Sequence, residues 1–246
     1  MISKNEVKYI RSLGQQKGRD ESGTFLAEGT KLVRDLIMAC PENVQKVYAV
    51  DVFLRTQEDI LKGIATEQID EDTLHRISML SSPNQVLAVI RKYETNISDV
   101  PATGWVLALD GIQDPGNLGT MIRTADWFGI RHIVCSPDCA DQYNPKVVQS
   151  SMGSIARVQV HGTDLKQWLM HYKGDIYGAF MEGEKISHHT LPADGVMVIG
   201  REGSGIRDDI KKYITHPVTI PGYGQAESLN AAVATGILLW EMKKAK

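Results

Sequence analysis

Short apolar runs alternate with helical segments through the second half of the chain, and this alternation constrains the fold more than any other feature. WVLALD begins at Trp105 and precedes LGTMIRTADWFG, in which apolar residues recur every three or four positions. Further apolar runs follow in the order HIVCSP, DIYGAF, GVMVIG and HPVTIP. Buried strands that alternate with helices form parallel sheets with helices on their faces. The sequence therefore predicts an α/β fold with a parallel sheet in this half.

The last segment, SLNAAVATGILLWEMKKAK, has the pattern of a helix with a basic final turn. Leu229, Val233, Ile237 and Trp240 recur there at three- and four-residue spacing, which is typical of one apolar helix face. We therefore expect a helix from Ser228 to the C-terminus.

The first ninety residues have the pattern of a smaller α/β unit. Helices are predicted in VKYIRSLG and GTKLVRDLIMA, and strands in KVYAVDVFL and QVLAVIRKY. The polar segment KYETNISDVPATG follows, contains a proline and has no periodicity, as is typical of a linker. The sequence predicts a first domain at 1–93, a linker at 94–103 and a second domain at 104–246.

The composition is that of an ordinary globular protein, with 42% hydrophobic and 23% charged residues. The N-terminus lacks the apolar core of a signal peptide, and no apolar run approaches the roughly 18 residues of a membrane span. The three cysteines form no paired framework, which suits a reducing compartment. Cys135 and Cys139 have no second Cys or His pair at zinc-ligand spacing. We therefore expect a cytoplasmic protein without a metal or a membrane partner.

The net charge gives no sign of a nucleic-acid binder, but the N-terminus is locally basic. The formal charge is −3, whereas proteins that bind polyanions usually carry a basic excess. Residues 1–19 contain Lys4, Lys8, Arg11, Lys17 and Arg19 against the single acid Glu6. This cluster is consistent either with phosphate contacts or with a solvated helix face.

Three glycine-rich loops follow predicted strands, within 110–129, 195–206 and 219–236. Loops of this kind often hold a nucleotide at the beginning of a helix. Neither of the usual fingerprints, G-x-G-x-x-G and G-K-[ST], is present in them. A Rossmann-type oxidoreductase and a P-loop protein are therefore disfavoured.

Each of these loops also carries polar side chains. Asn117 and Arg123 follow the first strand, Glu202 follows the second, and Ser228 and Asn230 follow the third. Asn117 occupies an N-cap position, so helix capping alone could explain it, and a surface salt bridge could explain Arg123. Flexibility could explain the glycines of any one loop, but three such loops at strand ends favour contact with a ligand.

The three loops together resemble a known family. D-G-I-x-D-P-x-N-x-G-x-x-x-R-x-A-x-x-F-G, I-G-x-E-G-x-G and I-P-G-x-x-x-x-E-S-L-N-x-x-x-A are similar, in this order, to the three motifs of the SpoU (TrmH-type) RNA ribose methyltransferases of the SPOUT superfamily. The resemblance extends from about Trp105 to Glu241 and includes SSMGS at 150–154. The segments IRSLGQQKGR and FLAEGTKLV resemble the ribosomal-protein-like substrate-binding domain that often precedes this catalytic domain.

The resemblance implies a C-terminal domain with a deep trefoil knot, which would be a rare exception to unthreaded connections. It implies that the second and third loops hold S-adenosylmethionine near Gly200, Ile220, Gly222, Ser228 and Leu229. It further implies a homodimer formed through the C-terminal domain. Small residues of the last helix would permit close packing in that dimer or against the knot, namely Ala231, Ala232, Ala234 and Gly236.

The implied reaction is methyl transfer from a sulfonium to a ribose 2′-hydroxyl of RNA, with ribosomal RNA favoured over transfer RNA. Arg123 matches the family residue assigned to proton removal, although a guanidinium rarely gives up its charge. Arg123 could instead hold the adjacent phosphate and act electrostatically. Asn117, Glu202, Ser228 and Asn230 match positions that orient Arg123, the target nucleotide or the cofactor.

RNA contacts are expected from Arg11, Lys17 and Arg19 in the N-terminal domain and from Arg123. Arg201 departs from the small or polar residue expected at its position, and could meet RNA phosphate or point to solvent. The alternative function is a catalytically silent RNA-binding or ribosome-assembly protein on the same fold. No departure occurs among the matched polar positions, which favours an active enzyme.

Overall fold

The chain forms two compact units in the computed structural model, which describes residues 2–188 and 192–244. The first unit comprises the residues up to Glu94 together with Asp141–Arg157, and the second comprises Thr95–Ala140 and the residues from Val158 onwards. A segment from the middle of the chain therefore packs within the first unit. Periodicity in the sequence gives no sign of this exchange, because it reports local structure only.

Helices and strands cover most of both units. Up to Arg91 they are α1 Lys4–Ser12, α2 Gln16–Ser22, β1 Thr24–Glu28, α3 Thr30–Ala39, β2 Val44–Ala49, α4 Asp51–Thr56, α5 Glu58–Leu61, β3 Thr66–Gln68, α6 Glu71–Ile77 and β4 Val86–Arg91. From Trp105 they are β5 Trp105–Leu109, α7 Pro115–Trp127, β6 His132–Cys135, α8 Pro145–Ser151, β7 Gln159–Gly162, α9 Leu165–His171, β8 Ile176–Lys185, β9 Gly195–Ile199, α10 Asp208–Lys211, β10 His216–Thr219 and α11 Ala231–Lys244. Among the described residues, no helix has both the length and the apolar character that crossing a bilayer requires.

The sheet of the first unit has the strand order β1–β4–β2–β3. β4 pairs antiparallel with β1 and β2, and β2 pairs parallel with β3. One helix predicted beside this sheet is confirmed, since α3 buries Leu32, Leu36 and Ile37. The predicted strand KVYAVDVFL is a strand only as far as Ala49. Its second part forms α4 and buries Phe53, because a short apolar run fits a buried strand and a buried helix equally well.

The sheet of the second unit has the order β10–β8–β9–β5–β6–β7 within the described residues, and every pair in it is parallel. All residues of the central strand β5 are buried, and so are all residues of β9. The parallel α/β sheet predicted from the alternating pattern is therefore confirmed. Since parallel strands end at the same edge of a sheet, the three glycine-rich loops follow strand ends along one edge.

Helix α7 begins three residues earlier than the sequence indicated, at Pro115 instead of Leu118. Asp114 is its N-cap residue, and the Asp114 Oδ1 atom accepts the backbone N–H of Asn117 at 2.8 Å. Pro115 follows at the first helical position, where its missing N–H leaves no hydrogen bond unmade. The N-cap role considered for Asn117 is therefore wrong, which leaves the Asn117 side chain available for other contacts. The helix ends at Trp127, and Gly129 follows just beyond the C-cap with a φ of +69°, as predicted for a glycine at the C-terminal end.

Helix α11 buries a face different from the apolar stripe seen in the sequence. Leu229, Val233, Ile237 and Trp240 are 37% to 56% exposed. The buried residues of the helix are instead Ala231, Ala232, Thr235, Leu238, Leu239 and Met242. α11 packs on α7 with Gly236 near Thr124, since a Cβ added at Gly236 would lie 3.9 Å from Thr124 Cγ2. Small residues therefore serve close packing within the unit, and residues 245 and 246 of the predicted helix lie outside the described residues.

Candidate active site

A cavity of about 530 Å³ lies in the second unit, beside β8, β9 and β10. Its walls include the turn that follows β9 and the long loop that joins β10 to α11. The residues expected to hold a cofactor all line it, namely Gly200, Ile220, Gly222, Ser228 and Leu229. Cavities of roughly 300–1,000 Å³ are typical of small-molecule sites. The structure therefore brings the predicted cofactor residues together around one pocket of suitable size.

The turn after β9, residues 200–206, is closed by its own backbone; we call it the β9 turn. The N–H of Arg201 donates to the carbonyl of Gly205 at 3.1 Å, and the N–H of Gly205 donates to the carbonyl of Arg201 at 3.0 Å. A Cβ at Gly200 would overlap the backbone of Gly205 and Ile206. Glycine at 200 therefore permits the close approach of the protein's own chain, rather than of a ligand.

Three polar side chains, one from each glycine-rich loop, meet at Glu202. The Glu202 Oε1 atom accepts hydrogen bonds from Asn117 Nδ2 at 2.9 Å and from Asn230 Nδ2 at 2.7 Å. Asn230 Nδ2 also donates to Asn117 Oδ1 at 3.0 Å. We call Asn117, Glu202 and Asn230 the polar cluster. The structure thus joins three predicted site residues that lie far apart in the sequence.

Asn230 and Glu202 also organise the beginning of α11. The Asn230 Oδ1 atom accepts the backbone N–H groups of Ala232 at 3.0 Å and Val233 at 3.2 Å, as an N-cap residue does. The backbone N–H of Ala231 lies 3.4 Å from Glu202 Oε1. A carboxylate at a helix N-terminus is favoured by the helix dipole. The polar cluster is therefore fixed to α7 on one side and to α11 on the other.

Arg123 and Ser228 are not part of the polar cluster. Arg123 is exposed on α7, and within residues 2–188 and 192–244 no hydrogen bond or ion pair holds its guanidinium. The salt bridge considered as a structural explanation for Arg123 is therefore not formed there. Ser228 is exposed at the cavity wall and likewise has no hydrogen-bond partner among the described residues. Both side chains are free to contact a ligand.

The basic residues of the N-terminus have different surroundings. Arg19 is buried, with Nε and Nη2 bound to Asp141 Oδ2 at 2.9 and 2.5 Å and Nη1 donating to the Leu13 carbonyl at 2.8 Å. The expected phosphate contact of Arg19 is therefore wrong, because its charge is already paired inside the first unit. Lys17 is exposed and lies 3.7 Å from Glu21. Arg11 is exposed and donates to the carbonyl of Ser78 at 3.2 Å.

An ion pair between a buried carboxylate, Asp110, and the partly exposed Arg207 was not singled out from the sequence. Asp110 is fully buried at the end of β5, and its Oδ1 atom lies 2.5 Å from Arg207 Nη2. The backbone N–H of Arg207 donates to Asp110 Oδ2 at 2.8 Å. This pair links the chain after β5 to the chain after the β9 turn. The only signal in the sequence is that Asp110 is the first charged residue after an unbroken apolar strand.

Arg201 does not simply point to solvent, which was one of the two roles considered for it. Its guanidinium forms an ion pair with Asp138, which follows β6. Partial burial raises the pKa of Asp138, but hydrogen bonds from Ser136 and Arg201 and the charge of Arg207 outweigh it, so the pKa lies below its ordinary value. Asp138 therefore remains an anion facing two arginines.

Cys135 and Cys139 interact behind the loop that follows β5. The hydrogen bond from the Cys135 thiol lowers the pKa of Cys139 to about 7, against an opposing effect of burial and with further help from Ser136 and nearby backbone N–H groups. The pKa of Cys135 is raised well above its ordinary value by the same hydrogen bond and by burial. Among the described residues, no group of three or more His, Cys, Asp or Glu side chains is arranged to hold a metal ion.

Comparison with known proteins identifies the family. The family model described as SpoU rRNA Methylase matches residues 104–240, and the model of an MRM3-like substrate binding domain matches residues 4–88. The 23S rRNA (guanosine(2553)-2'-O)-methyltransferase RlmP of Bacillus subtilis is 32% identical over 98% of this chain and 97% of its own length.

Solved structures agree over the full chain. A protein from Porphyromonas gingivalis, described as a proposed RNA methyltransferase of the TrmH family, matches with a TM-score of 0.88 at 34% identity and covers 100% of both chains. An AdoMet-bound rRNA methyltransferase from Sinorhizobium meliloti matches with a TM-score of 0.86 at 27% identity, over 99% of this chain and 97% of that chain. The resemblance read from the three motifs is confirmed, and this chain belongs to the SpoU rRNA methylase family.

Proposed function

We propose that this protein methylates a ribose 2′-hydroxyl of ribosomal RNA with S-adenosylmethionine as the methyl donor. The observation that supports this function best is the pairing of two features at one sheet edge. The cavity lined by the β9 turn lies beside the polar cluster, and Glu202 belongs to both. Glu202 thus joins a small-molecule pocket to Asn117 of the first motif and Asn230 of the third.

The lining of the cavity fits S-adenosylmethionine. Apolar side chains at Ile220, Leu229 and Leu238 can cover an adenine ring, and Leu229 is 48% exposed and free to do so. Backbone groups of the loop at Gly222 and Gly224 have open space around them, so a ligand can approach the main chain closely. Bound S-adenosylmethionine supplies a methyl group on a sulfonium, which is already activated for transfer.

Arg123 is proposed to act on the RNA rather than on the cofactor. It does not line the cavity, and its guanidinium is exposed on the helix that also carries Asn117. A guanidinium binds phosphate with two parallel hydrogen bonds and keeps its charge while doing so. We therefore propose that Arg123 binds the phosphate next to the target ribose. The positive charge of Arg123 would then favour loss of the 2′-hydroxyl proton electrostatically. The polar cluster would orient α7 and its Arg123 towards the methyl group.

Ribosomal RNA is the proposed substrate class. RlmP of Bacillus subtilis is named as a methyltransferase of 23S rRNA and matches this chain over nearly its whole length. The first unit contains the match to a substrate binding domain, which supports a role for residues 4–88 in RNA binding. Arg11 and Lys17 remain exposed in that unit and are proposed to contact phosphate.

A homodimer formed through the second unit is also proposed. Val233, Ile237 and Trp240 form an exposed apolar stripe on α11, which we call the α11 stripe, and Trp127 at the end of α7 is 85% exposed. Apolar surface of this kind is typical of a protein interface. A second copy of the chain is the proposed occupant, since the homodimer implied by the motifs uses this domain. The trefoil knot implied by the same motifs stays a prediction.

Methyl transfer to RNA tests the proposed function. Purified protein would be incubated with methyl-labelled S-adenosylmethionine and with either 23S ribosomal RNA or transfer RNA, and 2′-O-methyl nucleotides would be identified after digestion. We expect incorporation into ribosomal RNA by the unchanged protein and by Arg131→Ala, an exposed arginine just beyond α7. Arg123→Ala should lose incorporation but still bind S-adenosylmethionine in a calorimeter.

The same experiment separates the alternatives. Equal incorporation by the unchanged protein and Arg123→Ala would refute the role of Arg123. RNA binding without any affinity for S-adenosylmethionine would support the catalytically silent RNA-binding protein instead. Incorporation into transfer RNA alone would refute ribosomal RNA as the substrate class, while the proposed 2′-O-methylation reaction would still hold.

A further inference from the structure

Arg201 connects three loops at the edge of the parallel sheet. It belongs to the β9 turn, and its guanidinium forms an ion pair with Asp138 in the loop after β6. Between these two points lies the loop after β5, because β5 is the strand between β9 and β6. The Arg201 side chain therefore extends from one outer loop to the other across the central loop.

The central loop has a glycine where the Arg201 side chain crosses it. A Cβ added at Gly111 would overlap Arg201 at Nε, Cγ and Cδ. Gly111 has a φ of +72°, which side-chain-bearing residues rarely adopt. The loop after β5 thus presents bare backbone to the aliphatic part of Arg201. Any larger residue at position 111 would displace the arginine.

Asp138, the anchor of Arg201, is itself fixed. Ser136 Oγ donates to Asp138 Oδ1 at 2.6 Å, and the same Ser136 Oγ accepts the backbone N–H of Gly111 at 2.8 Å. Arg207 Nη1 lies 3.6 Å from Asp138 Oδ1. The Asp138 end of the connection is therefore attached to the loop after β5 through Ser136, and the Arg201 side chain packs against the same loop at Gly111.

We propose that Arg201 is a positioning residue that holds the β9 turn against the other two loops and thereby sets the cavity wall and the place of Glu202. Arg201 and Gly205 close the turn with two backbone hydrogen bonds of 3.1 and 3.0 Å. A displacement of Arg201 would therefore displace the whole turn. Glu202 is the next residue, and its carboxylate accepts the hydrogen bonds from Asn117 and Asn230. The consequence for methyl transfer rests on the proposed function, whereas the consequence for the turn does not.

The effect on the turn is measured first, without cofactor or RNA. Hydrogen exchange of the segment that contains the Arg201 and Gly205 amides would be followed in the unchanged protein, in Arg201→Ser and in Asp138→Asn. We expect faster exchange at the β9 turn in both variants, and an unchanged rate in Arg55→Ser. Arg55 is a matched control, since it pairs with Asp51 at 2.9 Å on the surface of the first unit. Unchanged exchange in both test variants would overturn the proposal.

The effect on the site is measured by calorimetry with S-adenosylmethionine and by methyl transfer to RNA. Loss of one charge-assisted contact is expected to raise the Kd for S-adenosylmethionine roughly tenfold in Arg201→Ser and Asp138→Asn. The double variant should be little weaker than Asp138→Asn alone, because Arg201→Ser then removes an interaction that Asp138→Asn has already removed. Arg201→Lys should recover part of the affinity, since it keeps the charge without the planar fork. A purely additive double variant would contradict the assignment.

Gly111→Ala distinguishes the crossing of Arg201 over Gly111 from backbone strain at that glycine. In the unchanged background the new methyl group displaces Arg201, so the Kd should rise as in Arg201→Ser. In the Arg201→Ser background there is no long side chain to displace, so Gly111→Ala should weaken binding clearly less than in the unchanged background, by the backbone strain alone. An equal penalty in both backgrounds would mean that strain alone is responsible, and the proposal would fail.

Failure of the proposed function can be distinguished from failure of the inference about Arg201. If the unchanged protein binds no S-adenosylmethionine, the proposed function fails, and the exchange measurement still decides whether Arg201 holds the turn. If the unchanged protein binds and transfers but the Arg201 and Asp138 variants match it in exchange, Kd and rate, only the present inference fails.

Discussion

The side-chain amide of Asn230 donates a hydrogen bond of 2.7 Å to Glu202 Oε1, although the two residues come from different loops. The same oxygen accepts the amide of Asn117 at 2.9 Å, so one carboxylate atom joins the chain after β5, β9 and β10. Hydrogen bonds to an ionised acceptor are shorter and stronger than those between neutral groups. Glu202 therefore couples the wall of the cavity to the helix that carries Arg123.

Glu202→Ala is expected to lower the rate of methyl transfer at least tenfold, because two amides and the beginning of α11 lose their common acceptor. Glu202→Gln keeps an oxygen in place without the charge and should lose less. The measurement is kcat and KM with labelled S-adenosylmethionine and RNA. Equal losses in the two variants would show that the charge, and not the shared acceptor, is what matters.

The α11 stripe gives a prediction about association. Trp240 is 56% exposed, and replacing it with lysine places a charge in the proposed dimer interface. We expect Trp240→Lys to shift the molecular mass in solution from two chains to one, as measured by light scattering after size exclusion. Met38→Lys is the matched control, since Met38 is 68% exposed on the first unit. A mass of one chain for the unchanged protein would refute the homodimer.

Arg19 and Lys17 are close in sequence, but their replacement should affect different properties, namely stability for Arg19 and RNA binding for Lys17. The Arg19 side chain is 2% exposed and bound to Asp141, so Arg19→Ala leaves a buried charge unpaired. Breaking such a pair costs about 3–5 kcal/mol of unfolding free energy, which urea titration would measure. Lys17→Ala should leave stability unchanged and instead reduce the salt dependence of RNA binding by about one unit of slope. A stable Arg19→Ala protein with weaker RNA binding would reverse this assignment.

The sequence was sufficient for the fold class and the family, and it predicted residues that the structure brings together around one cavity. The buried strands are recognisable because each is a continuous run of apolar residues. Gly200, Glu202 and Asn230 belong to motifs whose internal spacing can be recognised without knowing the rest of the chain. All five predicted cofactor positions line one cavity. Local pattern was informative here because each loop directly follows a strand.

Long-range pairing was not predictable in the same way. The basic N-terminal pattern predicts that Arg19 is exposed, because nothing local indicates its partner Asp141, which lies 122 positions away. Helical spacing predicts that the apolar stripe of α11 packs inward, yet the buried face consists of Ala231, Ala232, Thr235, Leu238, Leu239 and Met242. Helical spacing identifies an apolar face but does not say whether the chain itself or a partner covers it. Arg201 was undecided for the same reason, since Asp138 is adjacent only in the folded sheet.

Cys139 gives a prediction that depends on pH. Its Sγ atom accepts the backbone N–H of Ile112 at 3.3 Å, and the hydrogen bond from the Cys135 thiol lowers the pKa of Cys139 to about 7, although burial opposes this. The thiolate is the form that reacts with an alkylating reagent, so its fraction rises as the pH passes upwards through the pKa. The rate of alkylation by iodoacetamide should therefore rise with a midpoint near pH 7 and level off above it, whereas an unperturbed cysteine has its midpoint near pH 8.5.

The other two cysteines serve as internal controls for this titration. Burial raises the pKa of Cys40, and the pKa of Cys135 is raised by its hydrogen bond to Cys139 and by burial, so neither should react over the same range. Mass spectrometry of digested protein would assign the label to a residue, and Cys139→Ser should abolish the early phase. Because the Cys139 sulfur holds the N–H of Ile112 beside Gly111, alkylation should also weaken the binding of S-adenosylmethionine. Labelling at Cys40 with the same midpoint, or a midpoint near 8.5 at Cys139, would contradict the hydrogen-bonded thiolate.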